Sequence, residues 1–290
     1  MTQVDIAALS PQVVWQHFQT LCTIPRPSKH EQQLREFLQN WAESRNLETY
    51  VDEVGNLIIR KNATQGKEHV SGVILQGHLD MVTQANTGTV HDFFKDPIRP
   101  VLEDGWLIAK DTTLGADNGI GVALALAVLD SNDIAHGPIE VLLTVDEEAG
   151  MSGARLLETG VLKGKWLFNI DTEEWGELYL GCAGSIDVEV EQPLNYEPIP
   201  ENLNIVNIQV AGLKGGHSGV DIHLGRGNAN VILARFLNQH LASLGGHLVE
   251  FTGGTARNAL PREAVATIAI SPNQLSSLEK LLAEYQTAWK

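Results

Sequence analysis

The chain has 290 residues, 43% hydrophobic and 19% charged, an ordinary balance for a globular protein of about two domains. Its formal net charge of −16 argues against nucleic acid as a partner and suits a site in which carboxylates gather around a cation. Cys22 and Cys182 imply no disulfide framework, Val122–Leu129 is too short an apolar run to enter a membrane, and Met1–Asp5 lacks the marks of a secretory leader; a cytoplasmic setting is expected.

Residues 11–47 predict two helices separated by Pro25 and Pro27. Trp15, Phe18 and Leu21 recur at helical spacing in the first. In the second, Ser28 stands three positions before Glu31 and the series Leu34, Phe37, Leu38, Trp41 follows, which predicts a capping box. Thr49–Val51 and Leu57–Arg60 read as a hairpin around Gly55–Asn56. Val73–Val82 begins as a buried strand rich in β-branched residues and carries His78 and Asp80, which an extended chain points to the same side. Met81–Pro100 reads mostly as loop, Trp106–Ala109 as a short strand and Thr112–Asn118 as a polar turn. Gly119–Leu129 predicts a helix whose small residues permit close approach to a sheet. Ile139–Val145 and Trp166–Ile170 are further strands, ending in Asp146-Glu147-Glu148 and Asp171. The alternation predicts an α/β domain, a mixed sheet flanked by helices, over residues 1–190.

Leu178–Val190 reads as extended chain leaving that layer, and Pro193, Pro198 and Pro200 mark a linker. Residues 191–290 then form a smaller α+β domain. Ile205–Val210 is a strand, Asn228–Leu244 a helix, Leu248–Thr252 and Ala264–Ile270 strands and Leu275–Trp289 a helix. This is the ferredoxin-like order without its last strand.

The chemistry-bearing residues sit at element ends: His78 and Asp80 on one strand, Asp117 before a helix, Glu147 and Glu148 after a second strand, Asp171 after a third. Ligands of α/β sheets bind beyond the carboxyl ends of strands. Carboxylates crowded there repel one another unless a cation joins them. One histidine with several acids suits Zn²⁺, with Co²⁺ or Mn²⁺ as substitutes, and the number of acids suggests two metals sharing a carboxylate. Of the adjacent pair Glu147 and Glu148, one suits a metal ligand and the other a general base. His217, between glycines, reads as a substrate-contacting residue, and Cys182 as a small buried one.

Four segments, Gly77-His78-Leu79-Asp80-Met81-Val82, Thr113-Leu114-Gly115-Ala116-Asp117-Asn118-Gly119, Asp146-Glu147-Glu148-Ala149-Gly150 and Gly215-Gly216-His217-Ser218-Gly219, together resemble the M20 metallopeptidases, and among them the dipeptidases most. The resemblance implies a zinc-peptidase catalytic domain with a lid domain. It implies His78, Asp117, Glu148 and Asp171 as ligands of two Zn²⁺, Asp117 bridging and joined to Asn118 by a cis peptide. It further implies Glu147 as general base, Asp80 as the carboxylate that orients His78, His217 on the lid and Asn258 facing substrate. The implied reaction is hydrolysis of a dipeptide, notably Xaa-His, by a homodimer joined through the lid; a related deacylase or carboxypeptidase is the alternative. Members of the family continue beyond the lid to a final zinc-binding histidine that nothing in this sequence matches, so the chain is expected to be C-terminally truncated and its activity alone to be in question.

Overall fold

The structure is a computed structural model and describes residues 6–288 apart from 87, 183, 185 and 187. It divides into two compact units, Met1–Ala183 and Gly184–Lys290.

In the first unit, α1 (Gln12–Cys22) and α2 (Gln32–Glu43) are followed by β1 (Glu48–Val51), β2 (Leu57–Lys61), β3 (Val73–His78), β4 (Pro100–Glu103) and β5 (Trp106–Ala109). Then come α3 (Ala116–Asp130), β6 (Ile139–Thr144), the short α4 (Ser152–Arg155) and β7 (Trp166–Asn169). Five strands make one mixed sheet in the order β1-β2-β6-β3-β7, and β4 and β5 form a separate two-stranded ribbon. β1–β2 and β2–β6 are antiparallel, whereas β3 runs parallel to β6 and to β7. This parallel trio positions the site, because His78 lies opposite Thr144 and Gln76 opposite Asn169. The loops after β3, β6 and β7 therefore leave the sheet at the same edge.

Alternation along the strands builds two apolar layers. Leu57, Ile59, Val141 and Leu143 share a core with Val14, Phe18 and Leu21 of α1, Leu34 and Leu38 of α2, and Val122 and Leu126 of α3. Ile58, Ile74 and Leu142 point the other way, against Leu157, Val161 and Leu162. Gly121, Val122, Ala123, Ala125, Leu126 and Ala127 of α3 are all buried, as the run of small residues predicted.

The capping box is not formed. Glu31 stands at the N-cap of α2 without a side-chain capping bond. Ser28 Oγ instead donates to Asp80 Oδ2 at 2.6 Å, and Glu31 Oε1 accepts the backbone N–H of Asp146 at 2.9 Å. Ser28 is drawn into a long-range contact, and Glu31 Oε1 joins the helix start to the loop beyond the sheet, accepting the Lys29 N–H at 2.9 Å as well as that of Asp146. Cys182 is exposed rather than buried, in a stretch without regular secondary structure that also exposes Leu178 and Leu180. Residues 183, 185 and 187 of the expected extended segment, and Trp289 of the last helix, lie outside the described residues.

The second unit holds β8 (Asn204–Val210), α5 (Ala229–His240), β9 (His247–Gly253), β10 (Ala264–Ile270) and α6 (Leu275–Ala288). Its sheet has the order β8-β10-β9, antiparallel throughout. Asn228 caps α5, its side chain accepting from Val231 N at 3.1 Å. Leu233, Phe236 and Leu237 of α5 and Leu278 of α6 pack with Ile208, Ala266 and Ile268.

Candidate metal centre

His78 ends β3 with no exposed surface. Its two ring nitrogens face different partners. Nδ1 lies 3.2 Å from Asp80 Oδ1 and 3.1 Å from the Asp80 carbonyl oxygen. Nε2 lies 2.9 Å from Asp117 Oδ1, 3.6 Å from Asp171 Oδ1 and 3.9 Å from Glu147 Oε2. With the Nδ1 proton directed at Asp80, Nε2 is the nitrogen that faces the acidic cluster, and giving up its own proton there leaves the tautomer a metal ligand requires.

Asp80, itself fully buried, organises the loop after β6. Its Oδ1 accepts the backbone N–H of Glu147 and its Oδ2 that of Glu148, both at 3.0 Å. The same carboxylate thus holds His78 from one side and aims two consecutive glutamates from the other. The loop turns sharply at Asp146, buried with φ 56°, whose Oδ2 accepts from Ser152 Oγ at 2.6 Å. Asp117 enters from the start of α3 with a half-exposed side chain, and its peptide to Asn118 is cis.

Donor atoms of His78, Asp117 and Glu148 lie within 4.8 Å of one another. Asp171 joins through His78 and through Asn118, whose Nδ2 donates to Asp171 Oδ1 at 2.6 Å and to the Ile170 carbonyl at 2.9 Å. Asn118 fits only because Gly77 and Gly121 lack side chains. A Cβ at Gly77 would stand 2.3 Å from Asn118 Oδ1, and one at Gly121 2.7 Å from its Nδ2.

Charge crowding shows in the proton affinities. Burial, reinforced by Asp117, pushes Glu148 up to about 7, and Asp171 rises to about 7 for the same two reasons. Burial opposes the charged form of His78, yet hydrogen bonds to Asp117 and Asp80 outweigh it and bring the imidazole to about 10. The hydrogen bond from His78 holds Asp117 below the ordinary carboxylate range. Without a cation the cluster retains protons; a divalent cation replaces them. One imidazole nitrogen and several carboxylate oxygens form a donor set that fits Zn²⁺, Co²⁺ or Mn²⁺.

His217 and Asn258 belong to the second unit and meet within it. His217 pairs with Ala259 in an isolated bridge, and Ser218 N donates to the Asn258 carbonyl at 2.8 Å. The exposed His217 ring accepts at Nδ1 from the backbone N–H groups of Gly219 and Val220, at 3.0 and 3.1 Å. Its proton is thereby assigned to Nε2, which is left as a donor. Asp221 Oδ2 accepts the His217 N–H at 2.8 Å, and Arg226 pairs with Asp221 at 3.0 Å.

Arg26, Ser28, Glu31 and Asn118 were not assigned to the site from the sequence. Arg26 and Glu31 carry the one available signal, as charged residues close to a Pro-rich break that end up buried at 2% and 4% exposure.

His78 and five carboxylates, of Asp80, Asp117, Glu147, Glu148 and Asp171, converge beyond the sheet as a donor set that could hold a metal, and the relatives found by comparison are peptidases. Part of the chain matches a family model of the M20 peptidases. Residues 208–290 match the peptidase dimerisation domain of that family. Cytosol non-specific dipeptidase of Escherichia coli is 50% identical over 99% of this chain and 59% of its own length. The crystal structure of aminoacylhistidine dipeptidase from Vibrio alginolyticus matches with a TM-score of 0.63 at 49% identity, again over 99% of this chain and 59% of that one. Peptidase T of Salmonella arizonae is 44% identical over 90 residues, 29% of this chain and 22% of that protein. The chain therefore spans about three fifths of the length of the first two relatives, 59% in each case.

Proposed function

We propose that the chain carries the metal centre of a dipeptidase that hydrolyses unblocked dipeptides, Xaa-His types among them, with two Zn²⁺ that Co²⁺ or Mn²⁺ can replace. The observation that carries this reading is the convergence of His78, Asp117 and Glu148 donor atoms within 4.8 Å. The names of the relatives at 49–50% identity support the substrate class.

In this reading His78, Asp117, Glu148 and Asp171 are the residues that would hold the metals. When bound, the metals polarise the scissile carbonyl and make water more acidic. Glu147 takes the proton of the attacking water and returns it to the leaving amine. Asp80 keeps the proton of His78 on Nδ1 and the lone pair of Nε2 directed into the site. His217 offers its Nε2–H to the developing oxyanion, and Asn258 faces the substrate. Residues 1–190 act as the catalytic domain and 191–290 as the lid through which two copies pair. No helix among the described residues is long and apolar enough to cross a membrane; the cytoplasmic setting proposed here is supported by the name of the Escherichia coli relative.

The test is hydrolysis of β-alanyl-histidine and of its N-acetylated form by the purified, metal-loaded protein. Cleavage of the free-amine dipeptide alone, abolished by chelation and restored by Zn²⁺ or Co²⁺, is expected. Preference for the acetylated form identifies a deacylase instead. Stepwise release of C-terminal residues from longer peptides identifies a carboxypeptidase.

A further inference from the structure

Arg26 lies in the loop between α1 and α2, only 2% exposed. Its Nη1 donates to the carbonyl oxygens of Leu79 and Asp80, both at 2.9 Å, and its Nη2 to the carbonyl of Gly115. Its own carbonyl accepts from Met81 N at 3.2 Å. One guanidinium therefore ties the segment just after His78 to the turn just before Asp117. These two segments are 89 residues or less from it in sequence yet share no strand with each other or with Arg26.

A second observation points to the same group. Gly115 and Gly119 both belong to the turn and first residues of α3 that carry Asp117, and a Cβ on either would stand 2.7 or 2.8 Å from Arg26 Nη2. Gly115 also has φ +71°, the left-handed region. The glycine pair around Asp117 is thus a cradle for the arginine head group.

The charge balance gives this group a further part. Asp80, Asp117 and Glu148 are the site carboxylates whose charges act on the guanidinium. Five carboxylates, Asp80, Asp117, Glu147, Glu148 and Asp171, gather at the site. The guanidinium sets a buried positive charge beside them. A lysine carries the same charge but lacks the planar fork that reaches three carbonyls at once.

We propose that Arg26 is a positioning residue of the metal centre: seated in the cradle of Gly115 and Gly119, it fixes the spacing of His78 and Asp117 and holds a buried positive charge beside the site carboxylates. This inference rests on the metal-centre reading above. Arg26 acts through the backbone of the ligand-bearing segments rather than on substrate.

The experiment is a Co²⁺ titration of the wild-type chain and of R26Q, R26K and G119A, followed by the visible d–d bands, with far-UV circular dichroism on the metal-free proteins. R26Q is expected to keep its dichroism, to lose about 10–100-fold in Co²⁺ affinity and to show altered band shape and intensity. R26K restores charge without the fork, so it should regain part of the affinity but not the wild-type spectrum. G119A should weaken binding in the same direction, because its methyl meets the guanidinium, although alanine is the better helix former. Wild-type affinity and spectrum in R26Q would overturn the proposal. So would variants that stay unfolded at saturating Co²⁺, since Arg26 would then serve the fold as a whole. If the wild-type chain binds no Co²⁺, the metal-centre reading fails and takes this inference with it; wild-type binding with an indifferent R26Q sinks the inference alone.

Discussion

Replacing Asp80 by asparagine tests the hub of the site with a near-isosteric change. Oδ1 serves His78 Nδ1 and Glu147 N; Oδ2 serves Glu148 N and Ser28 Oγ. An amide has one oxygen. If the oxygen stays with His78 and Glu147, the new NH₂ faces the Glu148 N–H at 3.0 Å, two donors opposed, and only the Ser28 hydroxyl can rotate to accept. The reverse orientation opposes the NH₂ to Glu147 N and His78 instead. Either way at least one N–H loses this acceptor, at a cost of about 1–3 kcal/mol, and the remaining bonds lose their charge assistance, so the metal-free protein should lose about 2–4 kcal/mol of stability. Asp80 is held below the ordinary carboxylate range, because hydrogen bonds from His78, Ser28 and the Glu147 amide outweigh the burial that opposes ionisation. The loss should therefore shrink at low pH, where protonation of the wild-type carboxylate removes the same interactions. Metal affinity should fall by about 10–100-fold as His78 and the glutamate loop lose their common support. Urea unfolding of chelated protein and a Co²⁺ titration measure the two effects. A variant within about 0.5 kcal/mol of wild type that binds Co²⁺ equally well would refute the assignment of Asp80 as the shared support.

Glu147→Gln should retain metal and lose nearly all turnover, whereas Glu148→Gln should lose metal affinity; equal metal loss in both, read by elemental analysis after dialysis, would refute the division of roles. His217→Ala should lower kcat by about 10²–10³-fold with metal content unchanged, and an unaltered kcat would return His217 to a loop residue. In chelated protein, the raised proton affinities of Glu148 and Asp171, both about 7, and of His78, about 10, stabilise the fold while the protons are bound. That contribution is full below the unfolded values, about 4 for the acids and about 6.5 for the histidine, and fades as pH rises through the folded ones. The urea midpoint of chelated protein should thus fall between about pH 5 and 10, and saturating Zn²⁺, which takes the place of the protons, should flatten the slope; an unchanged slope would count against the cluster as a cation site.

Much of this protein is legible in local pattern. The β-branched run before His78, the small-residue face of α3 and the acidic ends of the β6 and β7 segments place the strands, the close helix packing and the ligand candidates, because side-chain period and element ends are properties of a few consecutive residues. The β8-α5-β9-β10-α6 order is legible for the same reason. What local pattern cannot carry is the choice among partners once the chain has folded. Ser28 and Glu31 have the spacing of a helix cap, but an Asp80 carboxylate and an Asp146 amide 52 and 115 residues away offer bonds inside the protein that water does not compete for. Cys182 reads as a buried small residue, yet it is exposed together with Leu178 and Leu180, because burial depends on what the fold brings over a residue and not on its size. Arg26 and Asn118 carry no periodic signal at all, because the carbonyls and glycine gaps that receive them come from segments distant in sequence. The sequence by itself determined which residues can bind a metal and which elements bear them. The parallel register of β3 with β6 and β7, and the buried polar contacts that this register makes possible, decided which of those residues meet and how each is aimed.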